Sequence, residues 1–338
     1  VQAAPTEAQV SGLRRLLGQA RAPLVLLGGT GWTDAACDDI RRFVEANQLP
    51  VACAFRYQDL FDNRHSNYVG DVGIGLNPKL AQRVRDADLL LAIGPRLGEM
   101  TTGGYSLISV PRPRQTLVHA HQGIEELGRV YQAQMMIASG MPQLAARLAA
   151  ISPVESPTWA ALTREARAEY EAWQAQAPVY GAEKPRLDLW QVVQMLQATL
   201  PADTIVTNGA GNFATWAHRY WRYGGLRTQL APTAGSMGYG VPAGIAAKLV
   251  APERTVLTFA GDGDFLMTAQ ELATAAMYQA GVLILVFNNG MYGTIRMHQE
   301  RHHPARVIGT ELLNPRFDLL AQSYGGFGTV VDSSGQFA

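Results

Sequence analysis

Polar residues that could bind a divalent cation follow two apolar runs in the last third of the sequence. Asp262 stands in a Gly-Asp-Gly turn directly after the run 256–260, and Asn289 follows the run 282–287. A carboxylate and a neutral amide oxygen suit a hard cation such as Mg²⁺, which keeps open positions for phosphate oxygens and water. These residue types indicate a cation site, provided that the fold brings them together.

The elements around these residues predict that convergence. Both runs are short and continuous, as in strands buried on two faces. Between them, 268–271 has the pattern of a capping box, and Gly281 stands where a helix would end. A strand–helix–strand unit of this length predicts a right-handed crossover between parallel strands. Both turns then lie at the same edge of the sheet, so we expect Asp262 and Asn289 to meet.

The same alternation elsewhere predicts an α/β fold with two doubly wound parallel-sheet domains. Residues 1–150 form the first domain and 187–338 the second, while the proline-containing stretch 151–186 is predicted to be a linker with a surface helix. The predicted strands are 24–27, 50–55, 89–93, 115–119 and 135–138 in the first domain, and 204–207, 228–231, 256–260, 282–287 and 329–331 in the second.

Composition excludes several classes of function. The chain has 338 residues, 17% of them charged, and a formal net charge of zero. This charge balance gives no excess of basic residues for binding nucleic acid or an anionic membrane. No apolar run approaches the roughly 18–20 residues of a membrane span. Cys37 and Cys53 form no CxxC pattern and indicate reduced thiols, so we expect a cytoplasmic protein. The sequence opens on Val1 rather than Met, and we expect both ends to be cut from a longer protein.

The turn 261–263, followed after 24 residues by Asn288-Asn289, resembles the thiamine-diphosphate-dependent enzymes of the acetolactate synthase, pyruvate oxidase and benzoylformate decarboxylase group. The resemblance covers the whole chain. Residues 1–150 resemble the central domain of that family, and 187–338 resemble most of its diphosphate-binding C-terminal domain. The resemblance implies thiamine diphosphate and Mg²⁺ as cofactors.

The resemblance also implies a set of site residues. Asp262, the side chain of Asn289 and the backbone carbonyl of Met291 would bind Mg²⁺. Backbone N–H groups of Gly263 and Asp264 would meet the diphosphate, and Asp264 is also a favourable charge at a helix N-terminus. Further cofactor contacts are implied for Ala210, Gly211, Asn212, Phe213, Gly261, Tyr292 and Gly293, although acetolactate synthases have glutamine and histidine in place of Asn212 and Phe213.

Three residues are candidates for a catalytic role. The stretch 235–238 resembles the segment that holds the cofactor bent, in which Met237 would lie between the two rings and the carbonyl of Gly235 would accept from the 4′-amino group. Without this motif, Met237 would be interpreted as an ordinary residue of the hydrophobic core. His298 stands where acetolactate synthases place a tryptophan that shapes the pocket for the second substrate. It is a candidate acid, base or hydrogen-bond donor, with a solvated surface histidine as the alternative.

The activity implied is decarboxylation of a 2-keto acid and carboligation of the product to a second carbonyl compound. A simple 2-keto acid decarboxylase, an FAD-dependent oxidase and a non-catalytic cofactor-binding subunit remain as alternatives. In the family, an activating glutamate comes from a pyrimidine-binding domain of a neighbouring subunit. We find no equivalent here, so we expect the chain to be inactive without that domain and to form a homodimer or homotetramer.

FAD binding depends on the first domain. The turn 28–31 follows a strand but lacks the third glycine of GxGxxG. In the FAD-binding members of the family a second stretch carries an acidic and a second basic residue. Here Gly94 and Arg96 match that stretch, whereas Gly98 and Met100 occupy the two charged positions. We therefore expect a scaffold domain with an empty or vestigial site, with FAD as the alternative.

Overall fold

The computed structural model describes residues 2–180 and 185–337, and the chain divides into two compact units. The first unit runs to Gln176 and includes Tyr223–Leu226. The second comprises Ala177–Arg222 and the chain from Arg227 onward. Within the described residues, none of the helices has the length and apolar character needed to cross a membrane.

The first unit contains a six-stranded sheet in which every pairing is parallel. Its strand order is β3-β2-β1-β4-β5-β6. One strand, β3, is absent from the sequence prediction because Gly70 and Asp71 interrupt its apolar run. The strands are β1 (Pro23–Leu27), β2 (Val51–Ala54), β3 (Tyr68–Val72), β4 (Leu89–Ile93), β5 (Thr116–His121) and β6 (Met135–Ala138).

Helices flank this sheet, and alternate residues of β1 pack into different apolar clusters. Val25 and Leu27 belong to one cluster, and Leu24 and Leu26 to the other. Because successive strand residues point to opposite faces, both faces of the sheet are covered. Thr33 caps α2, because its side chain accepts from the N–H of Ala36. The helices are α1 (Glu7–Gln19), α2 (Asp34–Asn47), α3 (Pro78–Asp86), α4 (Met141–Ala149) and α5 (Ala160–Ala175).

The second unit contains a four-stranded parallel sheet with the order β10-β9-β7-β8. Its strands are β7 (Ile205–Asn208), β8 (Gln229–Leu230), β9 (Val256–Gly261) and β10 (Leu283–Phe287). The strands β9 and β10 pair in parallel, with Phe287 opposite Gly261. The predicted α/β class and the parallel crossover are confirmed. The strand predicted at 329–331 is wrong, because these residues adopt no strand conformation.

The predicted helix after the Gly-Asp-Gly turn is broken into pieces. A 3₁₀ turn, Ala269–Glu271, separates α9 from α10. The predicted capping box is wrong, because the Thr268 hydroxyl donates to the carbonyl of Gly238 at 2.9 Å and caps no N–H. The helices of this unit are α6 (Leu189–Thr199), α7 (Ala214–Tyr220), α8 (Gly240–Val250), α9 (Asp262–Leu266), α10 (Leu272–Met277), α11 (Gly293–His302), α12 (Phe317–Ser323) and α13 (Ser334–Phe337).

Small residues let α8 lie directly on the sheet. The hydroxyl of Thr207 lies 2.8 Å from the carbonyl of Gly240 and 2.8 Å from the hydroxyl of Thr258. A Cβ atom on Gly244 would lie 2.4 Å from the Thr258 hydroxyl, and one on Gly240 would lie 2.8 Å from the backbone nitrogen of Gly209. This packing fixes the turn that follows β7.

We predict that Gly240→Ala destabilises the protein. The added methyl group meets backbone atoms that have no freedom to move aside, so the free energy of unfolding should fall by about 1–3 kcal/mol. Gly281→Ala is the matched control, since a Cβ atom there meets nothing within 4 Å, and its change should stay within about 0.5 kcal/mol. Denaturant unfolding of the two variants checks this. Equal midpoints would contradict the packing argument.

Candidate functional site

The candidate site lies in the second unit, at the carboxyl ends of β7, β9 and β10. The turns after β9 and β10 contact each other, because the N–H of Gly290 donates to Oδ2 of Asp262 at 2.8 Å. The turn after β7 joins them, because the N–H of Ala210 donates to Asp264 at 3.3 Å. The structure therefore brings together the residues that follow three parallel strands, as a sheet edge of this kind does for ligand binding.

Asp262 is a buried carboxylate, with only 3% of its surface exposed. Its Oδ1 accepts from the N–H of Gly263 at 3.0 Å, and its Oδ2 accepts from Gly290 and from the side-chain amide of Asn314 at 2.7 Å. All three donors are neutral. Among the described residues, no lysine, arginine or histidine forms an ion pair with Asp262. A buried carboxylate without a cationic partner carries a desolvation cost that a bound cation would offset.

Neutral oxygens lie in the neighbouring turn. Oδ1 of Asn289 accepts from the N–H of Met291 at 3.2 Å, and the carbonyl of Met291 accepts from the N–H of Gly293 at 2.9 Å. Each oxygen keeps a second lone pair. In the described part of the chain, no three His, Cys, Asp or Glu side chains are grouped to hold a metal. A metal here would use one carboxylate and neutral oxygens, a donor set that fits Mg²⁺.

Asp264 has a structural role that the sequence did not indicate. Its side chain is 2% exposed, and Oδ1 accepts from the N–H of Gly238 at 2.7 Å and from that of Ala210 at 3.3 Å. A Cβ atom on Gly209 would lie 1.9 Å from the same oxygen, so a larger residue there would displace the carboxylate of Asp264. Asp264 therefore ties the turn after β7 to the segment that carries Met237.

The turn 210–213 is held from two sides. The N–H of Asn212 donates to the hydroxyl of Thr294 at 3.1 Å, and that hydroxyl donates to Oδ1 of Asn212 at 3.0 Å. The ring of Phe213 stacks on Phe287 with centroids 5.9 Å apart, and a Cβ atom on Gly261 would lie 2.8 Å from it. Asn212 thus connects the turn to α11, and Phe213 packs beneath the end of β9.

The segment predicted to bend the cofactor is a glycine-flanked turn. Gly235 and Gly238 both adopt left-handed backbone conformations, with φ of 75° and 77°. The N–H of Gly235 donates to the carbonyl of Pro232 at 2.9 Å. Met237 between them is half-buried. Its apolar side chain remains in part accessible, and Asp264 and Thr268 hold its neighbour Gly238 in place.

The residues that follow Met291 lie in different surroundings. The ring of Tyr292 covers the Gly-Asp-Gly turn so closely that a Cβ atom on Gly263 would lie 2.4 Å from it. Gly293 begins α11. His298 lies one and a half turns further along, with an exposed side chain whose ring stacks on His302 at a centroid distance of 6.1 Å.

Two residues of this site were missed by sequence reasoning, Thr294 and Asn314. Asn314 is 52 positions from the carboxylate to which it donates. It reaches the site because Met291 and Glu311 form an antiparallel bridge, which carries the following residues back to the end of β9. The Asn314-Pro315 pair indicates only a turn in the sequence, so no local signal predicted this contact.

The part of the first unit that was compared with a flavin site is closely packed around Arg96. The turn after β1 packs against the turn after β4, where a Cβ atom on Gly29 would lie 1.9 Å from the carbonyl of Gly94. Arg96 pairs with Glu126 at 3.4 Å, and Glu126 also pairs with Arg129 at 2.9 Å. The cavity beside them has a volume of about 80 Å³. A second cavity of this unit, lined in part by His121, Gln122 and Gly140, has a volume of about 390 Å³, within the range of about 300–1,000 Å³ that is usual for small-molecule sites.

Comparisons with known proteins agree with this architecture. Residues 10–148 match the family model "Thiamine pyrophosphate enzyme, central domain", and 209–338 match "Thiamine pyrophosphate enzyme, C-terminal TPP binding domain". The chain is similar to an "Acetolactate synthase large subunit" of Parasynechococcus marenigrum, with 30% identity over 95% of this chain and 52% of that protein. A "Sulfoacetaldehyde acetyltransferase" of Alcaligenes xylosoxydans xylosoxydans is 26% identical over 96% of this chain and 58% of that protein.

A third relative, "Acetolactate synthase isozyme 2 large subunit" of Escherichia coli K12, is 26% identical over 94% of this chain and 56% of that protein. The chain thus spans about half the length of the curated relatives it matches. The two family models cover both α/β units, and the relatives align along nearly the whole chain. The chain therefore belongs to the thiamine-pyrophosphate-dependent enzyme family, of which it carries the central and the C-terminal, cofactor-binding domains.

Proposed function

We propose that this chain binds the diphosphate end of thiamine diphosphate through Mg²⁺, in an enzyme that decarboxylates a 2-keto acid and joins the product to a second carbonyl compound. The observation that carries the proposal is the buried carboxylate of Asp262, which has only neutral hydrogen-bond donors. A cation that bridges this carboxylate to a diphosphate compensates both charges. The family match supplies the identity of the diphosphate compound.

Each site residue then has a defined task. Asp262, Asn289 and the carbonyl of Met291 hold the cation. The carbonyl of Gly235 would accept from the amino group of the cofactor, and the half-buried side chain of Met237 would support its bent conformation. When bound, thiamine diphosphate supplies an electron sink that lets a 2-keto acid lose CO₂. The protein contributes position and exclusion of water, and a pyrimidine-binding domain of a neighbouring subunit completes the site.

Carboligation is favoured over simple decarboxylation because relatives of similar identity carry the names acetolactate synthase and sulfoacetaldehyde acetyltransferase. The two names refer to enzymes with different substrates. We therefore expect the pocket residues of this chain to determine its acceptor. His298 is the candidate that distinguishes it. Its exposed position on α11, which begins two residues after Met291, is compatible with contact to an incoming substrate.

We predict that Asp262→Ala and Asn289→Ala each abolish Mg²⁺-dependent retention of thiamine diphosphate. Each change removes a ligand oxygen, and loss of the Asp262 carboxylate also removes its charge. Glu253→Ala is the control, because it removes an exposed carboxylate of the same unit. Equilibrium dialysis with and without MgCl₂, in the presence of the pyrimidine-binding domain, measures retention. Retention at the wild-type level in either site variant would remove that residue from the ligand set.

We further predict that His298→Trp changes the preference of the enzyme among second 2-keto acids. A larger apolar ring would narrow the pocket and remove a hydrogen-bonding group. Products formed from competing pairs of acceptors report this preference. His303→Trp is the control, since that neighbouring histidine is also exposed and follows the end of α11. An unchanged product ratio in His298→Trp would place this residue outside the substrate pocket.

An FAD-dependent oxidase and a non-catalytic subunit are distinguished from this proposal by direct measurement. We expect the purified protein to be colourless and to release no flavin on denaturation, because Gly98 and Met100 stand at the two charged positions of the flavin-binding stretch. A yellow protein with stoichiometric flavin would favour the oxidase. An unfolding temperature that does not respond to thiamine diphosphate plus Mg²⁺, with the pyrimidine-binding domain present, would contradict the proposal that this chain is part of a thiamine-diphosphate-dependent enzyme.

A further inference from the structure

We propose that Asn314 is a positioning residue that restricts Asp262 to binding a metal through a single oxygen, and thereby favours Mg²⁺ over Ca²⁺. This inference rests on the proposed function, since it concerns the same metal. Asn314 belongs to neither the Gly-Asp-Gly turn nor the Asn-Asn turn. Its side-chain amide nitrogen donates to Oδ2 of Asp262 at 2.7 Å and to Oδ1 of Asn288 at 2.8 Å.

The orientation of the Asn314 amide follows from its partners. An ionised carboxylate only accepts hydrogen bonds, so the nitrogen of the amide must face Asp262. Both hydrogens of this NH₂ group are then used, one on each turn. The orientation leaves Oδ1 of Asn314 buried without a hydrogen-bond partner among the described residues. A buried oxygen without a partner costs stability. The amide nonetheless directs its nitrogen to Asp262 and Asn288, which indicates that these two hydrogen bonds outweigh that cost.

The hydrogen bonds to Asp262 can be counted against its acceptor capacity. A carboxylate has about four lone-pair positions, two on each oxygen. Oδ2 accepts from Gly290 at 2.8 Å and from Asn314 at 2.7 Å, which fills both of its positions. Oδ1 accepts from Gly263 at 3.0 Å, which fills one. A single lone pair remains, on Oδ1, so Asp262 can coordinate a cation only in the monodentate mode.

The coordination mode bears on the choice of metal. Mg²⁺ requires near-octahedral geometry with a small number of singly bound carboxylates, whereas Ca²⁺ takes six to eight oxygens and readily accepts a bidentate carboxylate. Without Asn314, a lone pair of Oδ2 becomes available and the carboxylate can rotate into the bidentate mode. Asn314 therefore disfavours the larger ion by occupying the second oxygen, rather than by touching the metal.

The test compares the wild type with Asn314→Leu, which has a similar volume and no donor. Thermal unfolding is followed in the purified protein, with the pyrimidine-binding domain present and thiamine diphosphate saturating, while MgCl₂ or CaCl₂ is titrated. For Asn314→Leu we expect the half-saturating Mg²⁺ concentration to rise about 10–100-fold, the usual effect of removing a partner of a metal ligand. The Ca²⁺ value should rise much less, so the ratio of the two values falls.

Leu313→Ala is the matched control, because its side chain is fully exposed at the neighbouring position and its ratio should equal that of the wild type. If Asn314→Leu does not fold, Asn314→Ser replaces it, since a hydroxyl is too short to make both contacts. Equal weakening of the two metals, or no change, would overturn the role of Asn314 in selectivity. Absence of any metal-dependent shift in the wild type would instead overturn the proposed function.

Discussion

The candidate site of the second unit depends on one interaction, the hydrogen bonding of a buried carboxylate that has only neutral donors around it. Transfer of such a group from water costs several kcal/mol unless it is compensated. The N–H of Gly263, the N–H of Gly290 and the amide of Asn314 provide part of that compensation, and they come from three separate segments. Each segment is held in place by its bond to Asp262. A cation bound at the remaining lone pair would further offset the desolvation cost of this carboxylate, to which the three hydrogen bonds of the turns already contribute.

The sheet makes this arrangement possible at small entropic cost. Parallel pairing of β9 and β10, with Phe287 opposite Gly261, places the two turns about 4.8 Å apart before any side-chain contact forms. The close packing of α8, through Gly240 on the backbone of Gly209, fixes the turn after β7 in the same way. The candidate metal ligands stand in the turns that directly follow β9 and β10, so the ends of these strands determine where the ligands lie. Position is thus set by backbone pairing, and side chains only refine it.

These physical origins explain which features could be predicted from sequence. Continuous apolar runs are a local signal, and the crossover rule applies to parallel strands in general. Together they predicted the strands around Asp262 and the sheet edge that these strands share. The strand β3 was missed because an edge strand tolerates Gly70 and Asp71. The capping box failed because the Thr268 hydroxyl found a tertiary acceptor on Gly238. The contact of Asn314 depends on a bridge between distant segments, for which no spacing rule exists. The roles assigned by resemblance to Met237 and His298 stay predictions.

The sequence Gly-Asp-Gly-Asp contains two carboxylates whose hydrogen bonds differ. Both are buried, with 3% of Asp262 and 2% of Asp264 exposed. Asp264 accepts from the N–H groups of Ala210 and Gly238, so it braces the turn after β7 against the segment that carries Met237. Asp262 retains one lone pair, on Oδ1, after its three hydrogen bonds. Asp264 thus has a structural role, whereas Asp262, two positions earlier, is a candidate metal ligand. The difference arises from which neighbouring N–H groups the fold brings to each carboxylate.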